Sequence, residues 1–192
     1  MVCLPPSGPT PRSLEELGAC LEHIRQSPRE TGVLGLIVRR PEVDAREVIA
    51  EGELSLTEGL VGDSWRLRPS SRTADRGPHP DMQLNLMNVR VIEAIAGPMT
   101  RWPLAGDQLF VDFDLASDHL PPGTRLSIGE ATIEVTDQPH TGCGKFSARF
   151  GIDALKWVNS PEGRALGLRG INAKVVTPGR IRAGDAVAIL GR

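Results

Sequence analysis

From residue 109 onward the chain is cut into short apolar stretches by turns rich in glycine and proline, which leaves little room for long helices. Leu109-Phe110-Val111-Asp112-Phe113 reads as a strand and Leu120-Pro121-Pro122-Gly123 as a turn. Arg125 to Ile128 and Ala131 to Val135 flank Gly129-Glu130, the Gly-first loop that a type II′ hairpin requires. Ile171 to Val176, the turn Thr177-Pro178-Gly179-Arg180 and Ala186 to Leu190 supply further strands. Short helices are expected over Ile152 to Val158 and Glu162 to Leu166. Many short strands with few helices predict a mainly β fold closed, or partly closed, into a barrel.

The first half fits the same picture. Four prolines in residues 1–11 predict a flexible leader, with a single domain over 12–192. Ser13-Leu14-Glu15-Glu16 has capping-box spacing, and Leu14, Leu17, Leu21 and Ile24 recur at helical intervals before Ser27-Pro28. Val33 to Val38 reads as a buried strand with Val48 to Leu56 as its partner, followed by a two-glycine turn at Gly59-Leu60-Val61-Gly62-Asp63. Arg66 to Pro80 has no periodicity and reads as a mobile surface loop. Met82-Gln83-Leu84-Asn85-Leu86 alternates, so a strand there sends its apolar side chains to the core and Gln83 and Asn85 to the opposite face. Asn88 can cap a short helix that Gly97-Pro98 stops.

Composition excludes several classes of function. With 192 residues the chain can bury a core without a disulfide or a metal. A net charge of −2, no Tyr, four Phe and three Trp argue against a nucleic-acid partner, which needs a basic field or a row of stacking rings. No apolar run approaches ~18 residues and the N-terminus lacks an export signal, so neither a membrane nor secretion is expected. Three cysteines without C-x-x-C spacing fit the reducing cytoplasm.

Chemistry concentrates in Pro139-His140-Thr141-Gly142-Cys143-Gly144-Lys145. Cys143 lies between two glycines that let a ligand approach closely, with His140 and Lys145 beside it, a setting that favours thiolate over thiol. His140 is then a proton carrier or an orienter of the sulfur. Other readings of the same residues are a metal site completed by His79 and Asp81, a hydrolase-type triad of Cys143, His140 and an acid, or a small buried thiol. Gln83, Asn85, Asn172 and Lys174, with Arg149, Arg164 and Arg169 in the neighbouring loops and helices, suggest an anion pocket.

The ordered series Gly59 to Asp63, Leu115 to Leu120, Gly-x-x-Leu-x-Ile-Gly at Gly123 to Gly129, Ile133 to Thr136 and Pro139 to Cys143 resembles the MOSC domain, named for the C-terminal domain of molybdenum-cofactor sulfurase. The series continues through Phe146, Gly151, Trp157 and Arg169-Gly170-Ile171 to Pro178-Gly179-Arg180-Ile181 and Gly184-Asp185-Ala186-Val187. The resemblance is strongest over 54–190. It implies a MOSC-like β-barrel of the pyruvate-kinase-insert type with Cys143 as the key cysteine, either ligating molybdenum of a pterin cofactor or carrying sulfur. Gln83, Asn85, Arg149, Arg169 and Lys174 would hold the cofactor, Arg169 and Lys174 best fitting its phosphate, with Cys143, His140 and Lys145 as the catalytic group. The implied activity is that of a molybdenum-dependent oxidoreductase or a sulfur transferase, with a small-molecule substrate and a sulfur-donor or redox partner protein. Many bacterial members carry an Arg-Asn pair where this chain has Asp107-Gln108, and a second loop cysteine that it lacks. The alternative is a non-catalytic module that keeps the barrel and binds a small anion.

Overall fold

The computed structural model describes residues 10–191. The expected leader therefore lies outside the described residues except for Thr10 and Pro11, as does Cys3. The capping box forms, Ser13 accepting from the Glu16 amide while the Glu16 carboxylate takes the Ser13 amide. Two short helices, α1 (Leu14–Gly18) and α2 (Leu21–Arg25), replace the expected continuous one. The break follows Gly18, the weakest helix former in the segment, and leaves Leu17 and Ile24 both buried.

The strands are β1 (Thr31–Arg39), β2 (Glu47–Ile49), β3 (Glu51–Ser55), β4 (Gly59–Leu60), β5 (Leu84–Asn88), β6 (Leu109–Asp112), β7 (Arg125–Ile128), β8 (Ala131–Val135), β9 (Ile171–Thr177), β10 (Gly179–Arg182) and β11 (Ala186–Ile189). Seven of them close a barrel in the order β1-β11-β7-β8-β9-β5-β6, with β6 returning to β1. Every pairing is antiparallel except β5 with β6. Only the first part of the expected partner of β1 stays with it. Ile49 pairs with Ile37, whereas β3 leaves for a small sheet with β10 and β4. The β7–β8 hairpin turns at Gly129, whose φ of 55° is the positive value that its loop type demands and that glycine meets without a side-chain clash.

Strand alternation sorts the apolar residues into two cores. Leu34, Ile37, Leu84, Leu86, Leu126, Ile133 and Val187 fill the barrel. Leu36, Val38, Met87 and Phe110 face outward under a helical layer. That layer comprises α3 (Val89–Ala96), capped by Asn88, α4 (Gly144–Phe150), α5 (Ile152–Asn159) and α6 (Pro161–Ala165). Each fully buried Leu, Ile or Phe contributes roughly 1.5–3 kcal/mol relative to exposure. No helix among the described residues is long and apolar enough to cross a membrane.

The strand expected to begin at Met82 begins at Leu84, because Pro80–Met82 form a 3-10 turn. Gln83 is buried instead of facing outward. Its amide nitrogen donates to the Leu56 carbonyl and its oxygen accepts from the Val175 amide, so the side chain replaces a missing strand neighbour.

Candidate functional site

The loop after β8 delivers Cys143 to the N-cap position of α4 with extended backbone. Asn159, the last residue of α5, grips Gly142 on both sides: its oxygen accepts from the Gly142 amide at 2.9 Å and its nitrogen donates to the Gly142 carbonyl at 3.1 Å. The residue before the cysteine is thereby fixed. The Cys143 thiol makes no capping hydrogen bond among the described residues and is exposed.

Cys143 stands on the rim of a cleft of about 350 Å³. Five cationic side chains line it, Arg46, Arg68, Lys145, Arg149 and Arg169, against one acid, Asp44. Asp44 is shared: Arg149 reaches it at 3.1 Å and Lys145 at 3.7 Å. Arg46 is anchored by the Pro103 carbonyl at 3.1 Å, and Arg149 by the Leu104 carbonyl at 2.7 Å. Burial and then the neighbouring cations Arg149 and Arg40 push the Arg46 guanidinium below its ordinary value. Arg68 is lowered by burial and then by Arg40. Positive charge is thus gathered beyond what Asp44 neutralises, the condition that an anion relieves.

The back wall is built from buried charge. Arg40 holds Asp63 through two contacts, 2.8 and 2.9 Å, and donates to the Gly106 carbonyl at 2.6 Å, which sets the backbone entering Asp107. Asp107 is 0% exposed and takes both its oxygens to Arg169 at 2.9 Å. Arg169 also donates to the Ala105 carbonyl, and its guanidinium lies 5.0 Å from the centre of the Phe146 ring. Gly170 follows in a positive-φ conformation with the Leu86 carbonyl against it, where a Cβ would collide. His140 approaches Asp107 from the far side, its Nε2 at 3.5 Å. Burial first, then the Arg169 cation, holds the imidazole down to about 3, so it is neutral at ordinary pH. Its Nδ1 is buried without a hydrogen-bond partner among the described residues.

The sequence profile of the MOSC domain matches residues 79–188, more than half of the chain. This protein belongs to the MOSC domain family. Solved structures agree on the fold. The YuaD protein from Bacillus subtilis superposes with a TM-score of 0.59 at 17% identity, over 84% of this chain and 97% of that one. YiiM from Escherichia coli gives 0.53 at 20%, over 83% and 70%, and YiiM from Geobacillus stearothermophilus 0.54 at 15%, over 84% and 76%. No curated protein matches the sequence.

Within this MOSC barrel the residues singled out from sequence divide. Cys143, Lys145, Arg149 and Arg169 meet around the cleft. His140 shares the buried wall with Arg169 but opens to a different cavity, alongside Asn172 and Arg164. Asn85 is occupied by Arg40 and by Asn172, and Gln83 by backbone. Lys174 pairs with Asp81 at 3.0 Å and Glu134 at 3.6 Å. Neither Gln83, Asn85 nor Lys174 lines the cleft. The metal set of His140, Cys143, His79 and Asp81 does not assemble: among the described residues no three His, Cys, Asp or Glu side chains gather as ligands. Sequence reasoning missed Arg46, Arg68, Asp107 and Asn159 as site residues. The only sequence signal for the first two was the abundance of arginine in segments without periodicity.

Proposed function

We propose that this MOSC protein holds a molybdenum–pterin cofactor, its anionic group lodged among the arginines of the cleft and Cys143 serving as the soft protein ligand. The observation that carries this reading is the placement of an exposed cysteine in the lining of a cleft where four cations besides the Asp107-paired Arg169 face one acid. The residues present suit such a group. A single cysteine, with no group of three His, Cys, Asp or Glu ligands among the described residues, fits a metal that arrives already chelated, and sulfur is the donor type that molybdenum in such a cofactor accepts. Arg149 and Arg46, each steadied by a backbone carbonyl, would take phosphate oxygens, for which the planar guanidinium is well shaped. Phe146 supplies an apolar patch of the lining, and the Asn159 grip keeps the thiol in place. Bound there, the cofactor would supply redox chemistry at its molybdenum.

Sulfur carriage alone needs a thiol and a donor but not a cationic cleft, so the cleft favours the cofactor. A reducing compartment such as the cytoplasm suits a function resting on a free thiol. The test is metal and pterin analysis of protein made in a molybdenum-replete, cofactor-competent host. Wild-type protein should carry both. Cys143→Ser should lose molybdenum with the fold intact, and Arg46→Ala with Arg149→Ala should lower pterin retention about tenfold or more. Full loading of Cys143→Ser would sink the role of the thiol. Wild-type protein that binds inorganic phosphate yet retains neither molybdenum nor pterin would make this a small-anion-binding module.

A further inference from the structure

Behind the shared wall lies a second cavity of about 220 Å³, whose lining does not include Cys143. Leu115, Leu120, Val135, Val158 and Ile171 give it apolar walls, and of its lining only Arg169 also faces the cationic cleft. Its charges cancel. Arg169 is neutralised by Asp107, while Arg164 and Asp137, both exposed, oppose each other in sign. An ion entering it would lose hydration and meet as counter-charge only the exposed Arg164 or Asp137, which solvent screens. An uncharged molecule would bury apolar surface at no such cost.

We infer that this cavity is a separate binding site for an uncharged, ring-bearing small molecule that presents an N–H or O–H donor. The volume admits a single ring with a short polar substituent, smaller than the roughly 300–1,000 Å³ of pockets for drug-sized ligands. The donor follows from His140. Its Nε2 faces the Asp107 carboxylate, which favours the proton there and leaves Nδ1 a bare acceptor. That acceptor and the Arg169 Nε–H are the two buried polar atoms of the wall left without a partner among the described residues, and buried polar atoms so left mark an incomplete hydrogen-bond set that a ligand with both a donor and a neutral acceptor, such as an amide, would complete. The site does not depend on the cofactor reading and would stand if that reading failed.

The probe is benzamide, with benzoate as its charged counterpart, followed by heteronuclear NMR of the full chain. Benzamide at millimolar concentration should shift the resonances of Val135, Ile171 and His140 and leave those of Arg46 and Cys143 in place. Benzoate should bind at least about tenfold more weakly, because the buried Arg169 is already held by Asp107 and the exposed Arg164 is screened by solvent. Ser117→Trp and Pro122→Trp place bulk in the cavity from exposed positions that do not line the cationic cleft, and each should weaken benzamide about tenfold or more with the melting temperature unchanged. If either tryptophan unsettles the fold, intermolecular NOEs from benzamide to the Val135 and Ile171 methyls in wild-type protein decide. The inference is overturned by absence of shifts at the cavity up to the solubility of benzamide, by equal affinity in folded tryptophan variants, or by benzoate binding as well as benzamide.

Discussion

Two cavities share Arg169 and little else. The cleft on one side of that residue has four more cations and a single acid, whereas the cavity on the other has its charges balanced and its histidine neutral. The difference is not made by Arg169, which belongs to both. It is made by which cations have a carboxylate to themselves. Asp107 is devoted to Arg169, but Asp44 is divided between Lys145 and Arg149. One buried carboxylate therefore keeps the second cavity neutral while the cleft stays positive.

The strongest way to break the contrast is to remove that carboxylate. Asp107→Ala leaves the Arg169 guanidinium, only 9% exposed, uncompensated. The expected cost is about 3–5 kcal/mol, read from urea unfolding, since breaking a buried pair strands the partner charge. Asp107→Leu combined with Arg169→Met should recover most of it, because an apolar pair of similar volume carries no stranded charge. A loss below about 1 kcal/mol for the single variant would mean that the wall is wetter than its burial implies.

Acidification tests the neutral side of the wall. The unfolded chain protonates this histidine near 6.5, whereas folded His140 stays neutral until about 3, so the unfolded state binds more protons between those values. Stability contributed above pH 6.5 is therefore lost as pH falls toward 3. Between pH 6.5 and 5 the loss should be about 1–2 kcal/mol. His140→Gln should flatten that part of the profile relative to wild type, and the difference between the two curves separates it from the general titration of carboxylates. Superimposable curves would mean that folded His140 gains its proton as readily as the unfolded chain does, so that burial does not keep this wall neutral below pH 6.5.

Much of the scaffold behind this contrast is legible in the sequence, and the reasons are local. The Ser13 capping box, the Asn88 cap and the Gly129 turn each depend on a few adjacent residues, and alternation over 109–135 specifies which side chains turn inward. The cleft was only half legible. Cys143, Lys145 and Arg149 lie within seven residues of one another and come together because one loop and one short helix carry them. Arg46 arrives from an irregular segment held by a distant anchor, the Pro103 carbonyl, and Arg68 from the end of a short 3-10 turn where it is held by the Ser64 hydroxyl, neither of which the hydrophobic pattern announces. Strand alternation placed Gln83 among outward polar residues, but burial beside a gap in the ladder turned its amide into a substitute for backbone. No period in the sequence encodes that exchange.

Asn159 sharpens the comparison from the side of the thiol. Asn159→Ala removes both hydrogen bonds to Gly142, and the expected loss is about 1–2 kcal/mol, with faster amide hydrogen exchange across 140–144. The cationic lining does not touch Asn159, so inorganic phosphate affinity should hold. If phosphate affinity falls with the loop's protection, the loop and the arginines are a single unit and not two independent parts of one cleft.

The smallest effect is expected at Lys174, which tests whether the positive field of the cleft is local. Its ammonium lies between Asp81 and Glu134, and the Asp81 hydrogen bond raises its proton affinity. At 38% exposure, however, solvent screens the pair, so Lys174→Met should cost no more than about 0.5 kcal/mol in urea unfolding. Lys174 is absent from the cleft's lining and its charge already has two acidic neighbours. At physiological ionic strength little of its field should reach the arginines. Inorganic phosphate affinity, measured by calorimetry, should therefore be unchanged in Lys174→Met and about tenfold weaker in Arg149→Met, whose guanidinium lines the cleft. Equal weakening by the two substitutions would show that the anion responds to charge well beyond the five cations. The site would then extend toward Gln83, Asn85 and Lys174 as their residue types suggested, and the boundary drawn at Arg169 would not hold.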